Sequence, residues 1–121
     1  ISVQMAQFPS AAIARNSYDY RTLGLGFANI GALLMRMGLA YGEQKSLALT
    51  GAITALMTGE AYRTSSLLAQ ELGAFPRYQQ NAEAMLRVIR NHREAARGGQ
   101  KFESIHINPP VLNHENSVPG I

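Results

Sequence analysis

The 121-residue sequence contains no cysteine, which excludes disulfides, thiolate zinc sites and thiol nucleophiles in one observation. Long apolar runs are also missing. No stretch approaches the ~20 consecutive apolar residues that a bilayer-spanning helix needs, and the N-terminus has no charged-then-apolar signal pattern. A cytoplasmic chain with no membrane partner is therefore expected. Strict alternation of apolar and polar residues, the mark of a half-buried strand, is absent over any useful length. What the chain does have is 46% hydrophobic and 16% charged residues, an ordinary globular balance that argues against disorder. A chain of this size buries roughly two-thirds of its unfolded surface, enough for marginal independent stability. The sequence opens on Ile1 rather than Met, and we read it as an excerpt of something longer.

Helical spacing organises the rest, and about four to five helices with one long central helix are expected. Ile1 to Gln7 reads as the end of a helix stopped by Pro9, after which Ser10 is placed to cap a short helix running to about Ser17. Tyr18 to Leu25 is less regular. From Phe27, the residues Ile30, Leu34 and Met37 continue an apolar stripe that ends at Gly38, a residue suited to a left-handed C-terminal turn. After Tyr41-Gly42, the positions Leu49, Ile53, Met57, Ala61, Leu68 and Leu72 predict one helix of about 30 residues up to Gly73. Leu47, Leu56 and Leu67 widen its apolar face, so it should be covered on more than one side. Gly51 and Gly59 cost it about 1 kcal/mol each relative to alanine and are expected to permit close helix packing. Phe75-Pro76 breaks the chain before a last helix from about Tyr78 to Arg97, with Met85, Ile89, His92 and Ala96 on one face and Glu83–Arg87 and Arg90–Glu94 as supporting pairs. We divide the chain into a helical domain, 1–98, and an extended tail, 99–121, marked by Gly98-Gly99 and Pro109-Pro110.

Each candidate for chemistry has a structural explanation that outweighs it. Gly24-Leu25-Gly26-Phe27-Ala28-Asn29 begins like a dinucleotide fingerprint, but the third glycine and a preceding strand are missing, so a turn into a helix is favoured. His92 lies on an apolar helical face and is expected to be a hydrogen-bonded core or boundary residue. His106 and His114, with Glu115 adjacent, have no recognised metal spacing, and no metal site is assigned. The net charge of +3 is concentrated late in the chain, where Arg77, Arg87, Arg90, Arg93, Arg97 and Lys101 face only Glu83 and Glu94. Without interleaved aromatics this arginine series reads as a solvated face or a surface for acidic groups, and nucleic-acid binding is disfavoured. Among Tyr18, Tyr20, Tyr41, Tyr62 and Tyr78 no radical tyrosine stands out.

The run from Asn16 to Met35, with Arg21-Thr22-Leu23-Gly24-Leu25-Gly26 at its centre, resembles adenosylcobalamin-dependent (class II) ribonucleotide reductases. So do Ala52 to Tyr62, Glu71 to Pro76 and Met85 to Arg93, in the family's order. Ala74 stands where the family usually has proline and Arg77 where it usually has glycine, and the stretch from Gly42 to Ser46 also differs. The resemblance implies a mainly α segment excerpted from the ten-stranded α/β barrel of the large catalytic chain, lying after the finger loop that carries the thiyl-radical cysteine. It also implies a parent enzyme that reduces ribonucleotides to deoxyribonucleotides for DNA synthesis, with adenosylcobalamin doing the radical step. No catalytic residue transfers onto this sequence, and which residues, if any, would touch the cofactor is left open by the resemblance. Arg21, Thr22, Gly24, Gly26 and Asn29 are expected at most to support the active site from behind.

By this reading the chain alone is inactive, binds no cofactor, takes the remainder of the reductase as its partner, and forms a homodimer when isolated. The rival reading is a stand-alone all-helical binding module that acts through the arginine-rich last helix.

Overall fold

A computed structural model describes residues 5–106, and among them the chain forms four helices and no strand. The first, α1, spans Ala11–Tyr20. Ser10 caps it as expected: its backbone is extended and its hydroxyl accepts a hydrogen bond from the Ile13 N–H at 3.3 Å. The helix outruns the expected end near Ser17 and stops at Arg21, which turns left-handed at φ 51°. Last-turn carbonyls need outside partners, and the Asp19 carbonyl has one in the Arg77 N–H at 3.1 Å. Of the helix end expected at Ile1 to Gln7, residues 1–4 lie outside the described residues and residues 5–7 are not helical.

Helix α2, Ile30–Arg36, begins later than the apolar stripe suggests. Asn29 occupies the left-handed region at φ 70°, which breaks helical geometry and leaves Phe27 and Ala28 in the preceding loop. At its other end, Gly38 is left-handed at φ 70°, the Gly38 N–H bonds the Met35 carbonyl, and the Leu39 N–H bonds the Leu34 carbonyl at 2.9 Å. That pair of bonds is a Schellman motif, the ending expected of Gly38.

Helix α3 spans Gln44–Leu72, 29 residues without a break, so both glycines are tolerated. Its N-terminal part holds the core: Ala48 and Leu49 are buried with Leu34 of α2, and Ser46 is buried with its hydroxyl donated to the Ala40 carbonyl at 2.6 Å. That bond satisfies a polar group that would otherwise be costly to bury. Farther along, Ile53, Met57 and Ala61 are half-buried, whereas Leu56, Leu67, Leu68 and Leu72 are exposed. The expected cover on more than one side is therefore not supplied within the described residues. A Cβ built at Gly59 meets nothing within 4 Å, so the expected close helix packing does not occur there.

Helix α4, Tyr78–Ala96, ends through Gly98 at φ 75° in a second Schellman motif, with the Gly98 N–H on the Ala95 carbonyl and the Gly99 N–H on the Glu94 carbonyl. Its apolar face reaches only half-burial at Met85 and Ile89. His92 and Ala96, expected on that face, are exposed, because the neighbouring helix offers them no full cover. The tyrosine ring of Tyr62 on α3 lies 5.7 Å from the His92 ring. Residues 97–106 fold back along α4, while Pro109-Pro110, His114 and the rest of the tail lie outside the described residues. No helix among the described residues is long and apolar enough to cross a membrane.

Candidate functional site

The loop between α1 and α2 carries all five of the residues singled out by resemblance. Arg21, Thr22, Gly24, Gly26 and Asn29 are exposed, and so is every residue between them. The loop is bounded by non-glycine residues in the left-handed region at both ends, Arg21 at φ 51° and Asn29 at φ 70°, each a conformation that costs free energy unless its surroundings enforce it. At the first end, the Arg21 N–H bonds the Ser17 carbonyl at 3.0 Å and the guanidinium carbon sits 5.1 Å from the centre of the Tyr18 ring, a cation–π arrangement. Gly24 and Gly26 are not in the left-handed region, and a Cβ at either would meet no atom within 4 Å. Local folding therefore does not require glycine at these two positions.

A contact that spacing gave no sign of anchors this loop. Asp19, two residues before it, is clasped by Arg77 at the start of α4: the Arg77 backbone N–H bonds the Asp19 carbonyl at 3.1 Å and Nε bonds the carboxylate at 3.2 Å. Arg77 is itself braced, with Nη1 donating to Gln80 and its carbonyl accepting from Asn81. The side-chain part is what a glycine at position 77 could not supply. The pair spans α1 and α4, so the residue that departs from the family pattern ties the loop's entrance to the last helix.

The arginine-rich face of α4 is partly neutralised by the chain itself. Neither expected pair, Glu83–Arg87 nor Arg90–Glu94, forms an ion pair among the described residues. Arg90 turns instead to Glu103, with N–O distances of 2.6 and 2.7 Å. A fork-to-fork match between guanidinium and carboxylate is stronger than a single i,i+4 contact, which explains the choice. The hydrogen bonds from Arg90, with its charge, hold the Glu103 carboxyl below its ordinary value. Because that shift favours the ionised form, the contact's contribution is present at neutral pH and is lost as the pH falls through the lowered value. Glu60 on α3 is lowered in the same way by hydrogen bonds from Arg63. Three groups of His, Asp or Glu that could converge on a metal are not found among the described residues. Both His92 and His106 are exposed.

Among the described residues, the Asp19–Arg77 and Arg90–Glu103 contacts tie the loop after α1 and the segment after α4 to the last helix. The family model for the ribonucleotide reductase barrel domain matches residues 1–115. This chain belongs to the ribonucleotide reductase family, as a helical segment of its barrel domain. The vitamin B12-dependent ribonucleotide reductase of Bradyrhizobium diazoefficiens is 60% identical over 114 residues, covering 93% of this chain and 9% of that protein. That of Agrobacterium fabrum is 55% identical over 115 residues, covering 94% of this chain and 9% of the relative. A third, from Streptantibioticus cattleyicolor, is 44% identical over 105 residues, covering 87% of this chain and 18% of the relative. The chain thus spans about a tenth of the length of the first two reductases it matches. The resemblance drawn from the Arg21 to Gly26 core and its companion runs is thereby established at the level of the family.

Proposed function

We propose that this chain supplies scaffold helices to the barrel of a vitamin B12-dependent ribonucleotide reductase, an oxidoreductase that converts ribonucleotides to deoxyribonucleotides for DNA synthesis in the cytoplasm. The observation that carries the reading is the match of 115 residues to the barrel domain in a chain with no cysteine. The parent chemistry requires a thiyl-radical cysteine and a reducing pair, so those must come from the remainder of the polypeptide. Adenosylcobalamin belongs to that whole enzyme and generates the cysteine radical there. This chain binds none of it alone.

Within the scaffold, Arg21, Thr22, Gly24, Gly26 and Asn29 back the active site. The support for this role is their exposure in one continuous loop and the presence of glycines that local folding does not explain, as expected where another part of the barrel approaches closely. We keep the division at Gly98, with the Glu103 contact joining the helical unit 1–98 to the tail 99–121.

The exposed leucines of α3 are covered by the remainder of the reductase chain in the parent and by a second copy when the segment is isolated. Nucleic acid is not a partner on this reading, since Arg90 is already paired. Sequencing the DNA on both sides of the coding region separates this reading from a stand-alone binding module. In-frame sequence encoding the cysteine-bearing parts is expected, and stop and start codons flanking a complete small gene would overturn it.

A further inference from the structure

Two consecutive residues of α4 hold a single residue of the following segment at four atoms. Arg90 donates from Nε and Nη2 to the two carboxylate oxygens of Glu103 at 2.6 and 2.7 Å. Asn91 donates from Nδ2 to the Glu103 carbonyl at 3.0 Å, and its Oδ1 accepts the Glu103 N–H at 2.8 Å. The guanidinium fork reads the plane of a carboxylate, while the side-chain amide reads the backbone of that same residue. A residue one position away in register could satisfy one partner but not both. Aspartate, shorter by one methylene, could not reach the fork with its backbone still on Asn91.

The chain around this contact is shaped to deliver Glu103. Gly98 turns left-handed at φ 75°, so the reversal out of α4 is specified at that glycine, while at Gly99 a Cβ would meet only the flexible side chain of Glu94. Ser104, next to Glu103, is held at φ 58°, a conformation that non-glycine residues keep only where neighbouring contacts fix them. The exposed ion pair alone would contribute little. The combination of fork, amide and strained neighbour defines one registered position.

We propose that Arg90 and Asn91 form a recognition site for one glutamate, occupied in cis by Glu103, and that it docks the segment leaving α4 and so sets the path of the polypeptide towards the next part of the barrel. The second half of this statement rests on the barrel-segment reading, and the first half does not. Both residues fall in the Met85 to Arg93 run that resembles the family, where they otherwise read only as a polar helix face.

Amide hydrogen exchange on the whole 121-residue chain at neutral pH tests it. The Glu103 amide should exchange about tenfold more slowly than an unbonded amide of the same local sequence, as one persistent hydrogen bond in an irregular segment requires. Asn91→Ala should remove that protection, while Arg90→Lys, which keeps the charge but loses the fork, and Glu103→Asp, which shortens the reach, should each remove most of it. The amides of α4 should not change in any variant. Trypsin cleavage after Lys101 should accelerate in step with the loss of protection. An unprotected Glu103 amide in the unaltered chain, or protection that survives both Asn91→Ala and Arg90→Lys, would overturn the proposal. Either result would leave the barrel assignment standing, because exchange is read without any assay of nucleotide reduction.

Discussion

Incubated with ribonucleotide, adenosylcobalamin and a dithiol, the isolated chain should yield no deoxyribonucleotide above the background of a boiled control. Reduction at the ribose 2′ position needs a cysteine radical to start it and a thiol pair to supply electrons, and the chain has no sulfur nucleophile of that kind anywhere in its sequence. An exposed loop of Arg21 to Asn29 can position neighbours, but it carries no group that could replace a thiol in hydrogen-atom transfer. The expected effect is therefore complete loss rather than a reduced rate. Product quantified by chromatography after overnight incubation is the check, and reproducible turnover would mean that the chemistry assigned to the remainder of the enzyme is misplaced.

The second large effect concerns association. Among the described residues only Leu34, Ala48 and Leu49 form a buried hydrophobic core, while Leu56 is 75% and Leu72 is 77% exposed. Leu56 and Leu67 are separated by about three helical turns and so return to the same face of α3, while Leu68 and Leu72 form an i,i+4 pair on another. Exposed apolar faces of this kind mark missing contacts, and a symmetric pair is the simplest closed arrangement that covers them. In the isolated chain we expect a helical homodimer that buries α3 or the helix before it. Light scattering coupled to size exclusion at micromolar concentration should give twice the 13.2 kDa monomer mass. Burying one leucine is worth about 1.5–3 kcal/mol, so Leu56→Glu should weaken the dimer by at least about tenfold with helicity unchanged. A clean monomer with no concentration dependence would show that the segment closes its own core.

Periodicity was informative where the chain's own contacts decide the outcome. The Ser10 cap, the Gly38 ending, the long uninterrupted α3 and the extent of α4 all follow from local chemistry: a hydroxyl that satisfies an orphan N–H, a glycine free to turn left-handed, and apolar spacing maintained over many turns. The stripe from Phe27 continues in sequence through Asn29, whose left-handed backbone stops the helix in space, so α2 starts later than periodicity alone predicts. Arg90 illustrates a different limit. Its i,i+4 partner Glu94 is visible on a helical wheel, but Glu103 becomes the better partner only after the chain reverses at Gly98. The same holds for Asp19 and Arg77, which come together only where the end of α1 meets the start of α4. The apolar helical face of His92 predicts a core or boundary position, and His92 is exposed because that face is short of cover in the described residues.

Exchange of parts tests whether this segment acts as barrel scaffold in a vitamin B12-dependent reductase. The corresponding stretch of the Bradyrhizobium diazoefficiens reductase, 60% identical to this chain, can be replaced by the present sequence and the purified chimera assayed with adenosylcobalamin. A folded enzyme is expected that retains cobalamin-dependent nucleotide reduction within about tenfold of the parent, a loss of no more than ~1.4 kcal/mol in transition-state stabilisation. A chimera that folds and binds its cofactor but reduces no nucleotide would contradict it.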